Sequence, residues 1–249
     1  MQRELDAREL INTEPADWTA RVYGAQPFAG AGKSNSGLLV PLERRLGRFV
    51  LPRIPRWLET YHLTLLTLVW SIGIVIFGYL AVNNLRWLWL TNLMIVLHYF
   101  TDHFDGKVGK YRDTGLRKWG FYMDHLFDYV FLCSIVIGYS FLIPQKSMFS
   151  LLLVLCVMSA FMFHTFLMLA ATDEFKVSFS RFGPTELRII LIILNTLIIS
   201  FGTRGLRGSL RWIAIGGLIA LSALAFVAQK KLWQADMKAK QEAAAEREG

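Results

Sequence analysis

Six apolar runs constrain this 249-residue chain more than any other feature of its sequence. A membrane-spanning helix needs about 20 consecutive apolar residues, and a helix satisfies its own backbone hydrogen bonds in lipid. The first, third and fourth runs are long enough alone, whereas the others require their flanking residues. The sequence therefore predicts an all-α integral membrane bundle of six transmembrane helices. The runs are 63–82, 87–100, 119–143, 148–171, 189–201 and 212–228.

The distribution of basic residues predicts how this bundle is oriented. They concentrate before the first run, in the segment 107–118, at Lys176 and Arg181, and after the sixth run. Because Lys and Arg favour the cytoplasmic side, we expect both termini in the cytoplasm. An Arg-rich loop at 204–211 does not fit this rule. The net charge of +8 lies mostly beside apolar runs, so we expect membrane lipids rather than nucleic acid as partners.

The chain before the first run divides into two segments. Residues 1–38 are polar, do not resemble a signal peptide and are expected to be partly disordered. Within residues 39–60, apolar side chains recur at helical spacing and arginines occupy other faces. This pattern predicts an N-terminal amphipathic interfacial helix, or alternatively a helix packed on the protein's own cytoplasmic side. The membrane domain and a charged cytoplasmic tail are expected at 61–228 and 229–249.

Four aspartates stand in or beside apolar sequence around the second and third runs. Asp102 and Asp105 are i,i+3 neighbours, and Asp124 and Asp128 are i,i+4 neighbours. Each pair therefore projects from one face of a helix. A carboxylate at membrane depth costs at least ~2.5 kcal/mol, so such a residue points to function. Converging carboxylates repel one another unless they are protonated or bind cations, and a hard divalent metal is the simplest solution.

Glycines accompany both aspartate pairs. Gly106 lies one turn from Asp102, and Gly120 lies one turn from Asp124. A glycine leaves room for a ligand to approach the helix backbone closely. The sequence therefore predicts two carboxylates that each stand beside a notch.

The spacing of these residues resembles the signature of the CDP-alcohol phosphotransferase family. That signature reads D-x2-D-G-x2-A-R, eight or nine residues, then G-x3-D-x3-D. All four aspartates and both framing glycines are in register from residue 102 to residue 128. The clear departure is Gly109-Lys110 in place of the Ala-Arg pair. A lysine contacts a phosphate as a point charge and lacks the two-pronged contact of an arginine.

The resemblance implies a membrane enzyme of phospholipid biosynthesis that uses a CDP-linked substrate and two Mg²⁺ or Mn²⁺ ions. An alcohol hydroxyl would attack the β-phosphorus, and CMP would leave. The residues implied as metal ligands are acidic: Asp102, Asp105, Asp124 and Asp128. Asp128, last in the motif, would also be the general base. The residues expected at the cytidine nucleotide follow the signature: Gly106, Gly109, Lys110 and Gly120.

Three charged residues outside the signature are candidates for contacts to the acceptor or to a phosphate. Arg112 follows the motif in the basic segment, and Glu186 and Arg188 belong to a Gly-Pro-Thr-Glu-Leu-Arg stretch that opens the fifth span. Ordinary helix N-terminal chemistry explains that stretch equally well.

Several alternatives stay open from the sequence. CDP-diacylglycerol is favoured as the donor to a small polar alcohol, but transfer from CDP-choline or CDP-ethanolamine to diacylglycerol uses the same motif. Intramembrane acids also mark ion pathways, so a transporter is a rival, although paired repeats are not visible. Gly109-Lys110 motivates an inactive scaffold relative as a third reading. The resemblance also implies a homodimer, and we expect a bacterial inner membrane location.

Overall fold

The computed structural model describes residues 22, 40–113, 116–172 and 184–248, and the regular secondary structure in these ranges is helical. The all-α prediction is thus confirmed. Two short 3-10 turns, Leu51–Arg53 and Leu85–Trp87, precede α2 and α3. The helices are α1 (Val40–Val50), α2 (Thr60–Leu80), α3 (Leu88–Arg112), α4 (Arg117–Ser140), α5 (Gln145–Thr172), α6 (Pro184–Phe201) and α7 (Arg204–Glu248).

Four of the helices are long and apolar enough to cross a membrane. Much of their surface is exposed and apolar: on α2, for example, Val69 and Ile72 are 51% and 52% exposed. Lipid can cover such a surface, whereas water would make it a liability. The chain is therefore a membrane protein. The four segments are Thr60–Leu80, Lys118–Ser140, Gln145–Thr172 and Arg204–Glu246.

The remaining two predicted spans form α3 and α6, and these helices fall short of that standard. α6 has 18 residues, which is slightly fewer than a span needs. α3 has 25 residues, but its C-terminal half contains two aspartates, two lysines and an arginine. The six-span arrangement therefore stays a prediction.

Two segments treated above as loops are helical, which corrects the sequence analysis. The charged segment 107–112 forms the last turns of α3, and α3 ends at Asp113 in the left-handed conformation with a φ of 53°. The Arg-rich segment 204–211 forms the first turns of α7. Lys and Arg are good helix formers, so a run of charge does not by itself end a helix. The break before α7 falls at Gly202, where φ is 76°.

The predicted N-terminal helix has a counterpart in α1. Its Leu46 and Val50 pack against a small buried cluster, and the 3-10 turn with Pro52 follows directly. This packing favours the alternative of a helix held on the protein's own surface, and the interfacial position stays a prediction. The segment 1–38, except for Val22, and the basic residues Lys176 and Arg181 lie outside the described residues. The small buried cluster that α1 packs against comprises Val22, Leu51, Leu63, Phe104 and Val108.

Close helix packing positions α2, α3 and α4 against one another. Gly78 of α2 meets Gly138 of α4 so closely that a Cβ on Gly78 would lie 2.7 Å from the Gly138 Cα.

At the end of α3, Arg112 Nη1 donates to the Leu58 carbonyl at 2.8 Å, and its Nη2 donates to the Pro55 carbonyl at 2.9 Å. These contacts fix the segment that leads into α2. Glu59 is the N-cap residue of α2 and forms a capping box there.

A buried hydrogen-bonded chain fixes α6 relative to α3 and α4. Tyr139 Oη of α4 donates to Asn195 Oδ1 of α6 at 2.8 Å, and Asn195 Nδ2 donates to Asn92 Oδ1 of α3 at 2.8 Å. Unpaired polar groups are costly in an apolar interior, so this chain favours one arrangement of the three helices. Arg188 lies two turns before Asn195 on α6, and its position depends on the same arrangement.

Candidate active site

Three of the four predicted aspartates converge where α3 faces α4. Asp102 comes from α3, and Asp124 and Asp128 come from successive turns of α4. One carboxylate oxygen of each lies within 4.8 Å of the others. All three are half-buried. The helical spacing that suggested two projecting pairs thus leads to one shared group of carboxylates, called here the aspartate cluster.

Asp105 has a different environment from the aspartate cluster. It is buried, and its Oδ2 accepts a hydrogen bond from Thr64 Oγ1 of α2 at 2.9 Å. Its Oδ1 accepts from the Gly106 backbone amide. The structure therefore places Asp105 one turn from Asp102 but outside the group of three.

Arg188 of α6 brings a positive charge into the aspartate cluster. Its Nη2 donates to Asp102 Oδ2 at 2.9 Å and to Asp128 Oδ1 at 3.2 Å. The residue is only 4% exposed. The sequence analysis named Arg188 as a candidate contact to the acceptor or to a phosphate, and it did not foresee that this arginine bridges two carboxylates from two other helices.

Two residues of the site hold the Arg188 guanidinium from its other sides. His98, fully buried and one turn before Asp102 on α3, places its Nδ1 3.3 Å from Arg188 Nη2. Phe131 of α4 lies under the guanidinium, with its ring centroid 5.3 Å from Cζ, and also packs on the His98 ring. A cation over an aromatic face is stabilised electrostatically. His98 therefore contacts the site through Arg188.

Both of the predicted glycine notches are open. A Cβ added to Gly106 or to Gly120 would meet nothing within 4 Å. The helix backbone is thus accessible beside both halves of the aspartate cluster, as a ligand that approaches it closely would require. Lys110, one turn beyond Gly106 on α3, is exposed.

Comparison with known proteins agrees with this arrangement. A family model described as CDP-alcohol phosphatidyltransferase matches residues 61–228. The chain belongs to the CDP-alcohol phosphatidyltransferase family. Members are phosphotransferases, so this chain is a membrane phosphotransferase of phospholipid synthesis. Curated proteins and solved structures gave no match.

The donor set fits the divalent ions that the CDP-alcohol phosphatidyltransferase family implies. Oxygen ligands are those that Mg²⁺ and Mn²⁺ prefer. The aspartate cluster carries three carboxylates, and the Arg188 guanidinium offsets only part of their charge. Carboxylates this close raise each other's energy, so the site favours further positive charge.

The remaining candidates for substrate contact differ in where the structure places them. The Arg112 guanidinium contacts carbonyls of the segment 54–58 rather than the aspartate cluster. Glu186 lies half a turn before Arg188 on α6 and is half-buried. His125, which neighbours Asp124, binds the Phe121 carbonyl through Nδ1 at 2.6 Å. The carbonyl contacts hold Arg112 against the segment before α2, whereas Glu186 shares a turn of α6 with Arg188, which contacts the aspartate cluster.

Sequence reasoning missed the role of Thr64. Both Thr64 and Thr67 lie inside the apolar run 63–82, which the sequence analysis treated as a membrane span alone. Together with Thr60 and Ser71, these residues form a buried polar stripe at helical spacing on an otherwise apolar helix. A stripe of that kind indicates a polar partner on a neighbouring helix, and here the partner of Thr64 is Asp105.

Proposed function

We propose that this chain is a CDP-alcohol phosphatidyltransferase that transfers a substituted phosphate from a CDP-linked lipid precursor to an alcohol. The observation that supports it most is the convergence of Asp102, Asp124 and Asp128 between α3 and α4, in the register of the family signature. Asp128 takes the proton from the acceptor hydroxyl. The hydroxyl oxygen forms a bond to the β-phosphorus, the bond from that phosphorus to the CMP oxygen breaks, and CMP leaves.

Two Mg²⁺ or Mn²⁺ ions are part of this proposal. Asp102, Asp105 and Asp124 would hold them, and Asp128 would contact the second. When bound, such ions neutralise the diphosphate and stabilise the negative charge on the leaving phosphate. The protein's own contribution is to hold the carboxylates on two rigid helices, so that little reorganisation is needed during the reaction.

The nucleotide half of the substrate is proposed to lie against the glycine notches. Open space beside Gly106 and Gly120 supports this position. Gly109 completes the surface, and the exposed Lys110 is placed one turn along α3 to contact a phosphate. The acceptor is assigned to the side of α6, where Glu186 lies in the same turn as Arg188.

The donor that we propose is CDP-diacylglycerol, with a small polar alcohol as the acceptor. A substrate of this kind has its acyl chains in the bilayer and its nucleotide at the cytoplasmic surface. We further propose that the chain lies in a bacterial inner membrane with both termini in the cytoplasm and that it forms a homodimer. Transfer of phosphocholine or phosphoethanolamine to diacylglycerol is the competing pairing.

CMP release tests these assignments. Purified protein in mixed micelles with Mg²⁺ is given CDP-diacylglycerol with a panel of polar alcohols, and then CDP-choline or CDP-ethanolamine with diacylglycerol. Release that depends on one pairing would establish the activity and its substrate class together. If folded protein releases no CMP with any pairing, the inactive scaffold reading gains and the proposed donor is rejected.

A further inference from the structure

We propose that Arg188 is a resident counter-cation of the aspartate cluster, which stabilises the metal-free site and weakens its affinity for divalent ions. This inference rests on the metal use proposed above. It assigns the guanidinium to the carboxylates of the protein rather than to the substrate phosphate.

The contacts of Arg188 carry the first step. A single guanidinium nitrogen, Nη2, lies 2.9 Å from Asp102 Oδ2, 3.2 Å from Asp128 Oδ1 and 3.3 Å from His98 Nδ1. An Nη2 group has two hydrogens, so these three acceptors already account for its donor capacity. Charge-assisted hydrogen bonds of this kind are roughly twice as strong as neutral ones. Arg188 is therefore bound to the protein's own carboxylates.

Burial carries the second step. Arg188 is 4% exposed, it lies above the Phe131 ring, and His98 beside it is fully buried. A buried cation is costly unless charged partners surround it, and here the partners are the residues that the ions would use. The guanidinium is thus anchored at the cluster from three helices, α3, α4 and α6.

The consequence for metal binding follows from Coulomb's law. Without a nearby cation, three carboxylates within 4.8 Å repel one another strongly, and a divalent ion relieves most of that repulsion. With Arg188 in place, part of the repulsion is already relieved, and an incoming ion also meets a like charge. Removal of this charge should therefore make metal binding tighter and the metal-free protein less stable.

The test measures Mn²⁺ binding to the protein in detergent micelles. The electron paramagnetic resonance signal reports the Mn²⁺ that stays free, and the bound fraction follows from it. Arg188→Gln is expected to bind Mn²⁺ tighter by roughly tenfold or more, because the repelling charge is gone. Arg188→Lys keeps the charge and should bind with an affinity close to that of the wild type. Thermal unfolding with a chelator and with saturating Mn²⁺ should show a lower metal-free Tm for Arg188→Gln and a larger rise on adding Mn²⁺.

Arg112→Gln is the matched control, because Arg112 is an arginine that contacts backbone carbonyls and the Glu59 carboxylate, all outside the aspartate cluster. It should lower Tm equally with and without Mn²⁺ and leave the Mn²⁺ affinity unchanged. Unchanged or weaker binding by Arg188→Gln, or its failure to fold even with saturating Mn²⁺, would overturn the inference. If the wild type itself binds no Mn²⁺, and Asp102→Asn and Asp124→Asn behave identically, the metal part of the proposed function fails instead.

Discussion

Asp128 belongs to the aspartate cluster, and it is the residue assigned to proton removal. Asp128→Asn keeps the shape and one accepting oxygen of the side chain but cannot take a proton. We therefore expect CMP release to fall by about 10²–10⁴-fold, the contribution typical of a general base. Metal-dependent nucleotide binding should persist. CMP release and nucleotide binding are measured for Asp128→Asn, with Asp236→Asn on the exposed tail as a control. Turnover by Asp128→Asn equal to that of the wild type would refute the assignment.

Thr64 offers a second test at the scale of single residues. Thr64→Val removes the donor to the buried Asp105 carboxylate while it preserves side-chain shape. We expect a loss of ~1–2 kcal/mol in stability, seen as a lower Tm, together with reduced CMP release. Thr64→Ser keeps the hydroxyl and should restore most of both. Equal behaviour of the two variants would mean that the hydrogen bond contributes nothing.

At the scale of single residues, the sequence predicts contacts between residues that are close along the chain better than contacts between distant ones. Helical spacing is local, so the sequence predicts that the aspartates project in pairs from one face of a helix: Asp102 with Asp105, and Asp124 with Asp128. The bridge from Arg188 spans 86 residues to Asp102 and 60 to Asp128. Such a contact depends on how α6 packs, which a single sequence does not specify. The role of Arg188 therefore required the structure.

Among the helices, the meeting of α2 with α4 makes a sharp prediction. A Cβ on Gly78 would lie 2.7 Å from the Gly138 Cα, and backbone atoms cannot move aside easily. A Cβ on Gly138 would find its nearest atom, the Ile74 carbonyl oxygen, at 3.5 Å. Gly78→Ala should lower stability by ~1–3 kcal/mol, whereas Gly138→Ala gains helix propensity and should stay close to the wild type. Thermal unfolding measures the Tm of Gly78→Ala and of Gly138→Ala. Equal Tm values for the two variants would contradict the close packing at Gly78.

The glycine notches give the opposite expectation at the same scale. Gly106→Ala and Gly120→Ala meet no atom within 4 Å, so Tm should not fall. A methyl group in the proposed nucleotide surface should nevertheless raise KM for the CDP substrate by roughly tenfold or more. Gly216→Ala, equally unobstructed but on α7, should change neither quantity. An unaltered KM in both notch variants would exclude the notches from nucleotide binding.

Helices were easier to predict than their ends. The apolar runs marked the positions of α2, α4 and α5 because the membrane demands about 20 apolar residues. The C-terminal end of α3 and the start of α7 were misjudged because charged turns continue a helix beyond the apolar stretch. Asp113 ends α3 and Gly202 ends α6, each through a left-handed backbone conformation that hydropathy does not register.

At the scale of the whole molecule, the number of spans decides on which side the loop before α5 lies. With six spans and a cytoplasmic N-terminus, Lys146 faces outward, whereas four spans formed by α2, α4, α5 and α7 would place it inside. After replacement of Cys133 and Cys156 by alanine, we expect Lys146→Cys to react with a membrane-impermeant thiol reagent in intact cells. Lys238→Cys should react only after permeabilisation. Reversed labelling would refute the proposed orientation, and an inaccessible Lys146→Cys would favour four spans.

The length of α7 has a further consequence. Its 45 residues extend for about 67 Å, whereas a bilayer with its headgroups is only about 45 Å thick. The stretch from Lys230 to Glu246 is rich in lysine, glutamate and alanine and is almost wholly exposed, so it belongs in water. The same rod that crosses the lipid thus continues as a stalk of roughly 20 Å or more. Anything joined to the C-terminus would therefore stand away from the membrane surface.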